Sequence, residues 1–144
     1  MARKRVFFEA LTDEAAQAMG AERVEIEHFP FRVGRESRTQ TVNGELVVME
    51  RRRSDHAPNN DLYLLDRGVR LNISREHFQI ERRLFGRYRL VDRGSACGTG
   101  VGGDWIGGRD RGGTTHLDAE EEIVVGTPQS PYVFRMVIYE EQGE

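Results

Sequence analysis

Lysine is almost absent from this chain: twenty of its twenty-one basic residues are arginine, and Lys4 is the exception. Cysteine is as scarce. Cys97 stands alone, which excludes an intramolecular disulfide and any multi-cysteine metal site. No apolar run approaches the roughly 18–20 residues of a membrane-crossing helix. The basic start, Met1 to Arg5, leads into only Val6-Phe7-Phe8 before Glu9, too short an apolar stretch for a signal peptide. His28, His56, His77 and His116 are far apart and lack metal-ligand spacing. These absences leave a soluble, cytoplasmic domain as the expectation, without metal, cofactor or membrane contact. Nothing in them speaks to oligomeric state.

What is present fits a globular protein. The 144 residues carry a net charge of −3, 38% are hydrophobic, and sixteen are glycine. That length suits one domain with a real core, taken as residues 1–144 with the fold proper over about 5–139. Codon bias in a GC-rich genome would be enough to explain the arginine total, but the distribution says more. Residues 67–93 hold eight arginines against Glu76, Glu81 and Asp92; residues 117–144 hold seven acids against Arg135. A segregated positive surface on an acidic protein argues for a small anionic ligand. Bulk nucleic acid favours a domain basic overall, so it is not expected as a partner.

The hydrophobic period is mostly two. Tyr132, Phe134, Met136 and Ile138 alternate with Val133, Arg135, Val137 and Tyr139, which predicts a strand with one apolar face. Val24–Glu27 alternates as well. Further short β-rich runs are Arg5–Glu9, Phe29–Val33, Leu46–Glu50, Asp61–Leu65, His77–Arg82, Arg87–Asp92 and Glu122–Val125. Leu84-Phe85-Gly86 reads as a hairpin loop. Many short strands with regular breaks predict an all-β sandwich or barrel. One helix is predicted, Asp13–Met19, capped by Thr12 or Asp13 and stopped by Gly20. Residues 36–59 read as a long insertion containing Arg51-Arg52-Arg53, and 140–144 as a fraying tail. Residues 94–113 contain nine glycines and read as loop-rich.

Several candidate chemistries lapse. Gly98-Thr99-Gly100-Val101-Gly102-Gly103 matches GxGxxG, but Asp104-Trp105-Ile106-Gly107-Gly108 cannot start the helix a dinucleotide site needs. Gly94-Ser95-Ala96-Cys97-Gly98 is not a serine elbow. Nothing nominates a catalytic triad. Cys97 could act as a nucleophile, though most lone cysteines are simply buried. An enzyme built on the glycine-rich segment stays as a distant alternative. Asn72-Ile73-Ser74 has the form of a glycosylation acceptor and means nothing without secretion.

A stronger constellation is spread along the chain. Gly34-Arg35 ends one strand, Ser74-Arg75-Glu76-His77 precedes another, and Ser95-Ala96-Cys97-Gly98-Thr99 follows a third. In this order the chain resembles a forkhead-associated (FHA) domain, whose pattern is Gly-Arg, then Ser-x-x-His, then Asn-Gly-Thr. Asn60-Asp61-Leu62-Tyr63-Leu64 and the closing segments Asp118–Gly126 and Ser130–Phe134 resemble the family as well. The resemblance implies an eleven-stranded β-sandwich of two sheets with binding loops at one end. It implies no catalysis, and a partner protein or peptide carrying phosphothreonine. A phosphate monoester carries about −1.5 to −2 charges and three strong acceptors. By resemblance, Arg35 offers it a charged fork, Ser74 a hydroxyl donor, and Arg75 a second positive charge. Gly34, His77, Gly98 and Thr99 shape the loops, with His77 hydrogen-bonding inside them. Cys97 takes the peptide-contacting place where the family usually has asparagine. A thiol is a poor donor and acceptor, and Ala96 replaces a residue that commonly bears a hydroxyl. The alternative is therefore a degenerate domain of the same fold that binds an unphosphorylated protein.

Overall fold

The computed structural model describes residues 2–37, 39–48 and 59–142. The chain forms β1 (Ala2–Ala10), α1 (Asp13–Met19), β2 (Arg23–Ile26), β3 (Phe31–Arg35), β4 (Thr39–Val42), β5 (Glu45–Val48) and β6 (Leu62–Leu64). It continues through β7 (Phe78–Arg82), β8 (Tyr88–Asp92), β9 (Thr99–Val101), β10 (Asp104–Ile106), β11 (Gly113–Leu117), β12 (Glu122–Val125) and β13 (Val133–Gln142). A six-stranded sheet runs β10-β9-β12-β13-β1-β2, and a five-stranded sheet runs β11-β8-β7-β3-β6. Among the described residues, β4 and β5 form a separate two-stranded sheet within the expected insertion. The fold is a two-sheet β-sandwich, and its pairs are antiparallel except β3 with β6.

Alternation builds the core. Phe8 of β1 stacks on Phe134 of β13, centroids 4.6 Å apart, and meets Phe31 and Phe78 of the opposite sheet at 5.8 and 5.9 Å. All four rings are buried. On β13, Phe134 and Met136 face the core, as the period-two reading predicts. Helix α1 matches its predicted bounds. The Thr12 hydroxyl accepts from the Ala15 amide, and Gly20 closes the helix in the left-handed conformation. At seven residues it depends on packing. It supplies this by burying Ala15, Ala18 and Met19, and the Ala18 carbonyl accepts from the Leu65 amide.

The glycine-rich stretch 94–113 is loop-rich, and it also holds the β9–β10 hairpin and the first residue of β11. Two expectations need correction. The expected fraying at 140–144 does not occur through Gln142. Glu140 and Glu141 lie opposite Lys4 and Arg3 in the β1–β13 register, and opposite charges across a ladder support pairing. The arginines of 67–93 also do not form one surface. Arg83 and Arg87 flank the Leu84–Gly86 turn between β7 and β8, and Arg89 pairs with Glu81 on the ladder. This places them at the end of the sheet opposite Ser74. Arg51-Arg52-Arg53 lies outside the described residues.

The registers explain why distant motifs meet. β3 ends where β7 begins, with Val33 opposite Phe78. β8 ends at the same level, with Phe78 opposite Asp92, and β11 starts there, with Gly113 opposite Asp92. The loops after β3, before β7, after β8 and before β11 therefore gather at one end of the sandwich.

Candidate functional site

Gly34 is the seat on which the site is built. An added Cβ at Gly34 would lie 2.0 Å from the Arg75 carbonyl oxygen, so only glycine lets the Ser74–Arg75 segment rest on β3. Asn60 clamps that contact: its Nδ2 donates to the Arg75 carbonyl at 2.6 Å, and its Oδ1 accepts from Arg93 at 2.7 Å.

Arg35 is the last residue of β3 and is only 7% exposed. Its backbone amide donates to the Ser74 carbonyl at 2.9 Å, and its Nε donates to the Ile73 carbonyl at 2.7 Å. A loose surface arginine is therefore the wrong picture, since the guanidinium is fixed to the loop that carries Ser74. The Ser74 hydroxyl accepts from the Ala96 amide at 2.9 Å and so keeps its own proton to donate. That bond joins the loop before β7 to the loop after β8. Arg75 is partly exposed. Arg35, Ser74 and Arg75 are brought together.

His77 is fully buried. Its Nδ1 accepts from the Ser74 amide at 2.9 Å, and its Nε2 lies 2.8 Å from the Gly98 carbonyl. The proton must therefore sit on Nε2, which donates to Gly98. A second proton on Nδ1 would oppose an N–H. Burial pushes the imidazole below its ordinary value; the Gly98 carbonyl, Asp92 and Asp66 pull upward without reversing it. The unfolded chain takes up a proton here as the pH falls through about 6.5, and the folded chain only at a lower pH. The contribution of His77 to stability is thus whole above that pH and declines below it, by up to roughly 1.4 kcal/mol per pH unit. Denaturant melts from about pH 7.5 to 5.5 should show this decline in the parent and lose it in His77→Gln. A flat parent profile would contradict the buried neutral ring.

Two buried carboxylates escaped the sequence reading. Asp92, 2% exposed, takes the Gly94 and Ser95 amides on Oδ1 and the Ser95 and Thr99 hydroxyls on Oδ2. Thr99 thus holds its loop through Asp92. Asp66 does the same for the other loop, accepting from the amides of Gly68, Asn72 and Ile73 and from the Tyr132 hydroxyl. Gly98 sits between, at φ 87°, and its carbonyl accepts from both His77 and the Gly126 amide.

Cys97 is half-buried, with its Sγ 3.6 Å from the Leu71 carbonyl. It lines an open groove with Ala96, Gly107, Gly108, Arg109, Arg111 and Thr127. Among the described residues, no group of three or more His, Cys, Asp or Glu side chains is placed to hold a metal ion, and no helix is long and apolar enough to cross a membrane.

This architecture is that of forkhead-associated domains. No family model matches the sequence, and no curated protein matches it. Solved structures do match in fold. The FHA domain of the CT664 protein from Chlamydia trachomatis is 20% identical with a TM-score of 0.55, over 94% of this chain and 98% of that one. Full-length yeast Pml1p is 14% identical with a TM-score of 0.63, over 95% and 83%. An engineered FHA solved with a Myc-pTBD peptide is 17% identical with a TM-score of 0.53, over 96% and 92%.

Proposed function

We propose that this chain is a protein-binding module that recognises phosphothreonine in a partner protein. The observation that carries the reading is the junction at Ser74. Its carbonyl accepts from the Arg35 amide, its hydroxyl accepts from the Ala96 amide, and Arg75 follows it directly. Two arginines and a hydroxyl donor from separate segments thus stand on rigid loops, as a small dianion requires. A handful of charge-assisted bonds of roughly 1.5–3 kcal/mol each, set against an association cost of about 4–15 kcal/mol, predicts modest affinity, micromolar rather than picomolar. The chemistry asks for no catalysis and no cofactor.

Titration of one peptide in phosphothreonine, phosphoserine and unphosphorylated forms tests the reading. Only the phosphorylated forms should bind, with phosphothreonine the tighter. Arg35→Lys should keep the charge, lose the fork and weaken binding at least about tenfold, or roughly 1.4 kcal/mol. Equal binding of the phosphorylated and unphosphorylated peptides would sink the proposal.

A second reading is an unphosphorylated protein partner. It is favoured by the burial of Arg35 and by a thiol at position 97. Yeast Pml1, a neighbour in fold, is a splicing factor integrated into the RES complex. Cys97→Asn separates the two readings. The asparagine amide can replace the weak Sγ contact to the Leu71 carbonyl and still reach a peptide backbone. Phosphopeptide binding should tighten by roughly 0.5–1.5 kcal/mol, with the melting curve nearly unchanged. A variant that folds normally and gains nothing removes the peptide backbone contact from the reading.

A further inference from the structure

Beside the Ser74 junction, the loop between β10 and β11 follows an unusual path. Gly107, Gly108, Arg109 and Asp110 all adopt positive φ, at 69°, 89°, 53° and 61°. For two consecutive non-glycine residues this conformation is costly and must be held in place. The Arg109 amide donates to the Ala96 carbonyl at 2.9 Å and the Asp110 amide to the Ser95 carbonyl at 3.1 Å. The Ala96 amide in turn donates to the Ser74 hydroxyl at 2.9 Å. Arg109 is thus tied to Ser74 through the two faces of a single peptide segment.

The side chains on this loop are equally informative. Arg109 and Arg111 are exposed, and neither forms an ion pair with any described residue. Both line the groove of about 430 Å³ that Cys97 and Thr127 share; Asp110, between them in sequence, is not in the lining. Several arginines elsewhere on the molecule are committed: Arg5 to Glu25 and Glu141, Arg89 to Glu81, Arg135 to Glu9. Two unpaired guanidiniums on a strained, anchored loop, bordering one groove, are arranged for an anion that comes from outside.

We propose that Arg109 and Arg111 form a second anion subsite, which takes an acidic or phosphorylated side chain of the same peptide that places its phosphothreonine at Ser74. This rests on the phosphopeptide reading above. An extended peptide advances about 3.3–3.6 Å per residue, so the second anion lies within a few residues of the phosphothreonine. The subsite selects among phosphopeptides, a task that a phosphate contact alone cannot perform.

Fluorescence anisotropy with three sets of synthetic peptides tests this. One is a phosphothreonine peptide with alanine flanks. The second walks a single glutamate along both flanks, and the third walks a phosphoserine. The parent should bind the best glutamate or phosphoserine peptide at least roughly fivefold more tightly than the alanine-flanked one, with the gain shrinking at high salt. Arg109→Gln with Arg111→Gln should erase that gain and leave the alanine-flanked peptide within about twofold of the parent. A gain confined to phosphoserine assigns the subsite to phosphate, and a gain for both assigns it to anions in general. If no walked position helps, or if the gain survives in the double variant, the subsite is overturned. If the alanine-flanked phosphopeptide itself fails to bind the parent, the phosphopeptide reading falls first and the subsite with it.

Discussion

Gly34→Ala should cost about 3 kcal/mol of stability and abolish peptide binding in whatever fraction still folds. The Gly34 backbone is not in the left-handed region, so alanine is conformationally welcome there. On its own it would stabilise by roughly 0.4–1 kcal/mol through the unfolded chain. The loss is therefore purely steric. The new Cβ would stand 2.0 Å from the Arg75 carbonyl oxygen and 2.6 Å from Asn60 Nδ2. Neither is the free end of a flexible side chain, because Asn60 and the Arg75 carbonyl are hydrogen-bonded to each other. To make room, the loop must lift from β3, which breaks the Arg35 amide bond to Ser74 and the Arg35 Nε bond to Ile73. Stability and site geometry fail together. Chemical denaturation measures the first and phosphopeptide titration the second. A variant within about 0.5 kcal/mol of the parent would mean that the seat yields more easily than the contact distances allow.

The strands that could be read from the sequence were those whose apolar residues face the core in period two. β13 is the clearest, since Phe134 and Met136 are fully buried while Arg135 reaches the Glu9 carboxylate outside. β9 could not be read that way. Its Gly100 lies opposite Trp105 of β10, and a Cβ there would lie 2.5 Å from the indole ring. The glycine is a receptacle for the tryptophan, so the residue that most suggests a loop is the one that lets the hairpin pack.

The site divides in a similar way. Gly34, Arg35, Ser74 and His77 stood out because of their order along the chain, and antiparallel registers turned that order into proximity. Arg109 and Arg111 carried no such signal. They come to lie beside the Ser74 junction because β11 starts opposite Asp92, a pairing that no local pattern announces. The charge count over 67–93 misled for the converse reason: the β7–β8 hairpin sends half of those arginines to the far end. Asp66 and Asp92 were invisible because an acid at or just past the end of a strand reads as a surface charge, and only burial reveals otherwise.

Asp92 is where that hidden chemistry matters most. Asp92→Ala should cost about 4 kcal/mol, and Asp92→Asn distinctly less, about 1–2 kcal/mol. Removing the carboxylate leaves the Gly94 and Ser95 amides and the Ser95 and Thr99 hydroxyls without their acceptor in a buried place. The hydroxyls can turn; the amides cannot, and each unsatisfied buried donor costs about 1–3 kcal/mol. Asparagine keeps one oxygen for the amides and presents its NH2 to hydroxyls able to reverse and accept. Space is also lost, because Gly107 packs so close that a Cβ there would touch the carboxyl at 2.3 Å, and alanine would leave a hole beneath it. The damage should reach the site, since the Ser95 hydroxyl that Asp92 orients accepts from the Gly98 amide, and the same loop offers the Ala96 amide to Ser74. Denaturant melts of both variants, read with amide exchange at residues 94–98, decide the matter. If alanine costs no more than asparagine, water has entered to satisfy the loop, and Asp92 is then only one acceptor among several.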